Sequence, residues 1–200
     1  MRPDLSTSLS LYKALLLRWS KAINLVASST LKDIESRHFK DSLQLLPYIP
    51  LEATTLFDFG SGAGFPALVL AMARGNLEVH LFESDQRKCS FLSTVSRETL
   101  IPVIIHNERV ENVDIKTLPV PDVITARALA SLTELLGLSQ KWWDVEQGGS
   151  SSLILIFPKG EKAAEEIKMA KALYGFDLEQ IPSETDSRAS LLVLSHVKKL

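Results

Sequence analysis

The sequence contains one cysteine, Cys89, so no internal disulfide can form. That fits a reducing compartment, and a cytoplasmic location is expected. No run of about 18 apolar residues occurs, which leaves no candidate membrane span. The first residues carry Arg2 ahead of Asp4, Ser6, Thr7 and Ser8, a poor match to a signal peptide. Charge of one sign is also missing: 22 basic side chains meet 24 acidic ones, for a net charge of −2. Such a chain has no global attraction for nucleic acid, so an RNA surface must be a local concentration of cations. Repeats and low-complexity segments are absent, and no metal site is expected.

What is present suits one folded domain: 200 residues, 46% of them apolar. Glycine is sparse, nine in all, yet Gly60, Gly62 and Gly64 fall at alternate positions. An apolar run with two aromatics, residues 55–59, precedes them and reads as a buried parallel strand. Pro66 and the apolar residues 67–73 follow, which places a helix start at Pro66. Strand, glycine turn and helix make a nucleotide-binding turn, because glycine lets the backbone bend tightly and approach a ligand. The spacing is G-x-G-x-G, with Asp58 two residues ahead. A pyrophosphate site would avoid that carboxylate. S-adenosylmethionine, with a sulfonium and an amino group and no phosphate, suits it. A second strand, residues 78–84, brings Glu83 about 20 residues beyond the glycines, where an acid can accept from ribose hydroxyls. Asp58, Gly60, Gly62, Gly64 and Glu83 are therefore candidate cofactor contacts.

Around this centre the chain alternates helices and strands. Residues 9–27 read as an amphipathic helix and its exit, with Leu9, Tyr12, Leu15, Leu16 and Trp19 in one stripe and Asn24 at its end. A second helix is expected over 31–46, capped by Thr30, with Arg37 and Asp41 paired on its surface. Its charged face reads as solvated, the alternative being that His38 or Lys40 lines a cleft. Pro47 and Pro50 close a helical extension, residues 1–50, and open the core, residues 51–200. Further helices are expected over 85–100, 131–143 and 161–174, the last with Gly175 as its C-cap. Cys89 reads as a packing residue. Further strands are expected over 102–106, 122–127 and 153–157, with a loop at 148–152. Two final strands, 176–181 and 191–197, form a hairpin, so the class is α/β. The loop 107–112 and Arg127 stand at strand ends, the ligand side of such sheets; Val110 and Glu111 are candidates for adenine recognition there.

These motifs resemble the RsmG (GidB) family, bacterial methyltransferases that modify N7 of a guanine in small-subunit ribosomal RNA. Residues 19–25 are similar to W-N-K-x-x-N-L, and residues 37–42 to R-H-x-x-D-S. Residues 58–66 match D-x-G-x-G-x-G-x-P, Arg87, Lys88, Phe91 and Leu92 match a basic pair with F-L, and residues 125–128 resemble S-R-A. Lys159 and Gly160 match K-G. The resemblance implies a class I S-adenosylmethionine-dependent methyltransferase (Rossmann-like) fold. Its sheet has seven strands, six parallel and one antiparallel, with an N-terminal helical extension. It carries cofactor contacts over to Gly60, Phe65, Val110, Glu111 and Arg127. Departures are Ala67 for a glycine, Glu83 for an aspartate, Asn112 for a second glutamate and Ser20 for an asparagine.

The implied partner is 16S rRNA or the 30S subunit, met by a monomer. Arg37, His38, Lys40, Arg87, Lys88, Lys159 and Arg188 are the candidate RNA contacts, with Lys21 and Arg109 in similar segments. Guanine N7 has a free lone pair and no proton, so no general base is required, and alignment carries the catalysis. Arg127 is the positioning candidate, or it holds the cofactor carboxylate. Two other functions stay open on these residues: methylation of another substrate on the same fold, and a non-catalytic ribosome-assembly module.

Overall fold

Every residue of β1, Thr55–Phe59, is buried, and the sheet is built outward from it. The computed structural model describes residues 3–144, 150 and 152–200. Of the loop expected at 148–152, Gly148, Gly149 and Ser151 lie outside the described residues. β1 pairs in parallel with β2, Glu78–Phe82, on one side and with β4, Val123–Ala126, on the other. β3, Ile104–His106, extends the sheet beyond β2, and β5, Ile154–Lys159, extends it beyond β4. The hairpin of β6, Tyr174–Pro182, and β7, Ser190–Lys199, completes the order β3-β2-β1-β4-β5-β7-β6. β7 runs antiparallel to both of its neighbours, so six strands are parallel and one is not, as expected. The strand order reverses between β1 and β4, the switch point at which open α/β sheets leave a crevice.

Side chains alternate across the strands, and each strand therefore feeds two cores. Leu56, Val79, Leu81, Val123 and Ile156 face one side, under α1 (Leu5–Trp19), α3 (Ala67–Ala73) and α4 (Gln86–Thr99). Phe57, Phe59, Phe82, Ile124, Leu155 and Phe157 face the other, under α5 (Leu132–Trp143) and α6 (Ala163–Ala170). A capping box between Ser131 and Glu134 opens α5, and Asp85 caps α4 through the Arg87 N–H. No described helix is long and apolar enough to cross a membrane.

Three elements depart from expectation. α1 starts at Leu5 and ends at Trp19, because Asp4 accepts from the Thr7 N–H at 2.9 Å and caps it there. Asn24 lies beyond it. The single helix expected over 31–46 is instead a 3₁₀ turn, Ser28–Asp33, a π turn, Glu35–Lys40, and a short α2, Asp41–Leu43. Thr30 caps nothing: its hydroxyl donates to the Ala27 carbonyl. Arg37 and Asp41 do not pair with each other but with Asp186 and Arg127. These distant partners set the local winding, and a π turn is the form such an adjustment takes. Gly175 caps no helix; it pairs with Lys198 within the β6–β7 ladder, where a Cβ would stand 3.0 Å from the Lys198 side chain.

Candidate active site

The glycine turn leaves β1 at the switch point, and hydrogen bonds from three of its backbone N–H groups fold it. Ser61 N–H donates to the Phe82 carbonyl at 3.0 Å, and Gly64 N–H to the Ser61 carbonyl at 2.6 Å. Gly62 N–H donates to Glu83 Oε2 at 2.8 Å. Gly64 has φ +92°, and a Cβ there would strike Leu68. A Cβ on Gly62 would meet nothing closer than the Gly60 carbonyl at 3.8 Å, so its bare face opens outward. Glu83 is buried at the end of β2 and accepts from Asp85 N–H at 2.7 Å through its other oxygen. A carboxylate has about four acceptor sites, so two remain for a ligand.

Two clefts meet over this turn. The larger, about 640 Å³, is bounded by the turn, the 27–41 segment, Arg127, Lys159 and the β6–β7 loop. The smaller, about 310 Å³, lies between Glu83, Gly60, the Val110–Asn112 turn and Leu138. The expected cofactor residues divide between them. Glu83, Val110 and Glu111 line the smaller, Gly62, Phe65 and Arg127 the larger, and Gly60 both. Asp58 and Gly64 line neither; they support the turn from below.

Asp58 is fully buried, and burial pushes its carboxyl up to about 7, against the Thr125 hydroxyl, which pulls the other way; the Ser61 hydroxyl donates to the Asp58 backbone carbonyl. Its Oδ1 accepts from Thr125 Oγ1 at 2.7 Å, while Oδ2 has no partner among the described residues. A neutral acid is the form this site favours.

Arg127 reaches across to the N-terminal segment. Its Nη1 donates to Asp41 Oδ2 and its Nη2 to His38 Nδ1, both at 3.0 Å, with the guanidinium 5.0 Å from the Phe65 ring centre. Since Nδ1 accepts from an arginine, His38 is the neutral tautomer with its hydrogen on Nε2, which donates to Thr30 Oγ1 at 2.8 Å. Burial, then the Arg127 charge, holds its pKa down to about 4. Asp41 Oδ1 accepts from Thr185 Oγ1 and from Gln44 Nε2, which ties this segment to the β6–β7 loop. His38 therefore lines the cleft, and the solvated face expected there gives way to the alternative. Phe65 stacks with both His38 (4.8 Å) and Tyr12 (5.1 Å), and the Tyr12 hydroxyl donates to the Ala63 carbonyl inside the glycine turn.

The cations expected on one RNA-facing surface are not alike. Lys40, Arg87 and Arg188 are exposed, and Arg37 pairs with Asp186 at 3.2 Å. His38 and Lys159 are buried, the latter donating to the Ala130 carbonyl at 2.6 Å and pairing with Glu166 at 2.9 Å. Neither is a surface charge: His38 is neutral between Arg127 and Thr30, and internal acceptors hold Lys159. Lys88 lines both clefts. Two contributors escaped the sequence reading. Tyr12 was legible in principle, since a tyrosine in an apolar stripe needs an acceptor for its hydroxyl. Lys141 was not: its ammonium donates to the Val110 and Val113 carbonyls, both at 2.8 Å, and fixes the turn that walls the smaller cleft.

A family model described as GidB, rRNA small subunit methyltransferase G, matches residues 5–190. The ribosomal RNA small subunit methyltransferase G of Rhodospirillum centenum is 46% identical over 189 residues, covering 94% of this chain and 83% of that protein. Its counterpart in Methylorubrum extorquens strain PA1 is 42% identical over 200 residues, covering 98% and 91%. Among solved structures, a mutant of MtNAS in complex with S-adenosylmethionine superposes with a TM-score of 0.55 at 13% identity, over 95% of this chain and 75% of that one. At that identity the likeness speaks to the fold alone.

Proposed function

The chain belongs to the GidB family of rRNA small subunit methyltransferases, and from that premise we propose that it transfers a methyl group from S-adenosylmethionine to N7 of a guanine in 16S ribosomal RNA. The reaction would take place in the cytoplasm, with a monomer acting on the RNA or the 30S subunit. The observation that carries the reading is the tether between Glu83 and Gly62. One buried acid both holds the glycine turn at 2.8 Å and lines the smaller cleft, so the turn and the ribose acceptor form one rigid unit.

The residues present fit the donor. Glu83 keeps acceptor sites for two ribose hydroxyls, Val110 and Glu111 wall the adenine side, and the bare face of Gly62 admits a ligand against the backbone. When bound, S-adenosylmethionine supplies a methyl carbon already activated by its sulfonium. Arg127, in the larger cleft beyond the turn, would hold the donor's carboxylate, with Asp41 and His38 fixing its guanidinium. The target base would enter the same larger cleft, beside Phe65. N7 offers a lone pair without a proton, so the work of these residues is alignment, which supplies up to about 7–11 kcal/mol in ideal cases.

The reading is tested in two steps. Calorimetric titration with S-adenosylmethionine should give a saturable, single-site isotherm, and Glu83→Ala should weaken it at least tenfold. Mass mapping of 16S rRNA from cells with and without the protein should then show one 7-methylguanosine that depends on it. No binding, or an unchanged modification map, would sink the assignment.

A further inference from the structure

Among the described residues, three line both clefts: Gly60, Lys88 and Ala128. Whatever passes from the smaller cleft to the larger passes them. Gly60 and Ala128 have no functional side chain, which leaves Lys88. It sits in the first turn of α4, behind the cap made by Asp85. Its neighbour Arg87 is turned away and engaged with Asp85 at 3.2 Å. The other cations of the larger cleft are also engaged: Arg37 with Asp186, Arg127 with Asp41 and His38, Lys159 with Ala130 and Glu166. The Lys88 ammonium alone among them has no hydrogen bond or ion pair with the described residues.

The proposed reaction needs such a group at that point. On the major-groove edge guanine shows two acceptors, N7 and O6, whereas adenine shows the N7 acceptor and an N6 amino donor. N7 must face the methyl group and stay free of other partners. On that edge, discrimination of guanine from adenine then falls to O6, and it needs a donor beside the transfer point. An ammonium has three donors and no acceptor, so it can donate to guanine O6 and opposes an adenine amino group. We propose that Lys88 donates a hydrogen bond to O6 of the target guanine and is a specificity-determining residue of the site. This rests on the guanine-N7 reading above. A positive charge beside a base that becomes cationic does not speed the step, so its role is orientation and selection. A site built to hydrogen-bond one group rejects the analogue that lacks it far more strongly than an apolar pocket would.

The experiment is a cycle between Lys88→Met and removal of O6. 30S subunits are reconstituted with guanine or 2-aminopurine at the mapped target position; 2-aminopurine keeps N7 and lacks O6. Wild-type enzyme should lose at least about tenfold in kcat/KM on 2-aminopurine. Lys88→Met should lose about as much on guanine and nothing further on 2-aminopurine, with affinity for S-adenosylmethionine unchanged. Equal losses for the variant on both bases, or a salt dependence of RNA binding reduced by about one phosphate contact, would overturn the proposal. Wild-type activity at another base or atom would overturn it together with the reading beneath it. Wild-type activity at guanine N7 with an indifferent Lys88→Met would overturn it alone.

Discussion

The phenolic hydroxyl of Tyr12, midway along the first helix, donates to the carbonyl of Ala63 in the glycine turn, 51 residues away in the chain. The same ring stacks on Phe65, the residue that ends the turn, and is itself fully buried. The N-terminal helix thus reaches into the site and holds the turn by both edge and face. A segment that reads as a packing helix has become part of the candidate site.

Tyr12→Phe keeps the ring and removes one hydrogen bond, leaving a buried carbonyl unpaired. The expected cost is about 1–3 kcal/mol of stability, measured by urea denaturation. Affinity for S-adenosylmethionine should fall severalfold, because the turn loses its brace. A variant as stable as wild type would show that the hydroxyl does not hold the turn.

The orientation of Arg127 should depend on one nitrogen of His38. Asparagine places an acceptor near the position of Nδ1, and glutamine near that of Nε2. His38→Asn should therefore retain the contact with Arg127, while His38→Gln should lose it and keep the contact with Thr30. We expect His38→Asn to hold kcat/KM within a few-fold of wild type and His38→Gln to lose about tenfold or more, the scale of one hydrogen bond to a charged group. Steady-state methylation of 30S subunits decides it, and the reverse ranking would refute the tautomer assigned to His38.

The centre of the molecule was open to sequence reasoning, and its N-terminal rim was not, for a physical reason. β1, the turn and α3 are set by neighbours in sequence: a buried apolar run, three glycines and a proline. Glu83 was placed by strand periodicity and spacing alone. The 28–43 segment is wound by partners far along the chain, since Asp41 answers to Arg127 and Thr185, and Arg37 to Asp186. No local propensity encodes such contacts, and a continuous helix was the natural misreading. Gly175 misled in the same way: beside a helix it looked like a cap, but its partner, Lys198, stands on a strand yet to come.

Lys141 should act on cofactor binding and leave the chemistry alone. Its ammonium satisfies two carbonyls of the Val110–Val113 turn and lies 4.6 Å from the Trp142 ring centre, and burial lowers its pKa. Lys141→Met frees that turn. The dissociation constant for S-adenosylmethionine should rise about tenfold, the scale of one lost charge-assisted hydrogen bond, while kcat at saturating donor stays near wild type. Equal losses in both parameters would mean that the turn does more than receive the cofactor.

Asp58 sets the last expectation, a slope of stability with pH in the ligand-free protein. Burial raises its carboxyl from an ordinary value of 3.8 to about 7 in the folded state. Below pH 3.8 both states hold the proton, and the contribution to stability is complete. Between about 4 and 7 the unfolded chain has released its proton and the folded one has not. The folded state then binds more protons, so stability falls as pH rises. Above about 7 the charge stands unscreened beneath the turn, and the loss, up to about 4 kcal/mol for a shift of this size, is complete. Asp58→Asn removes the titrating group and preserves the acceptor for Thr125, so its stability relative to wild type should climb from pH 4.5 to 7.5 on the order of that figure. Urea denaturation of both proteins across that range cancels every other titration in the difference. A constant difference would mean that Asp58 is already charged at acid pH, and that the turn rests on a carboxylate after all.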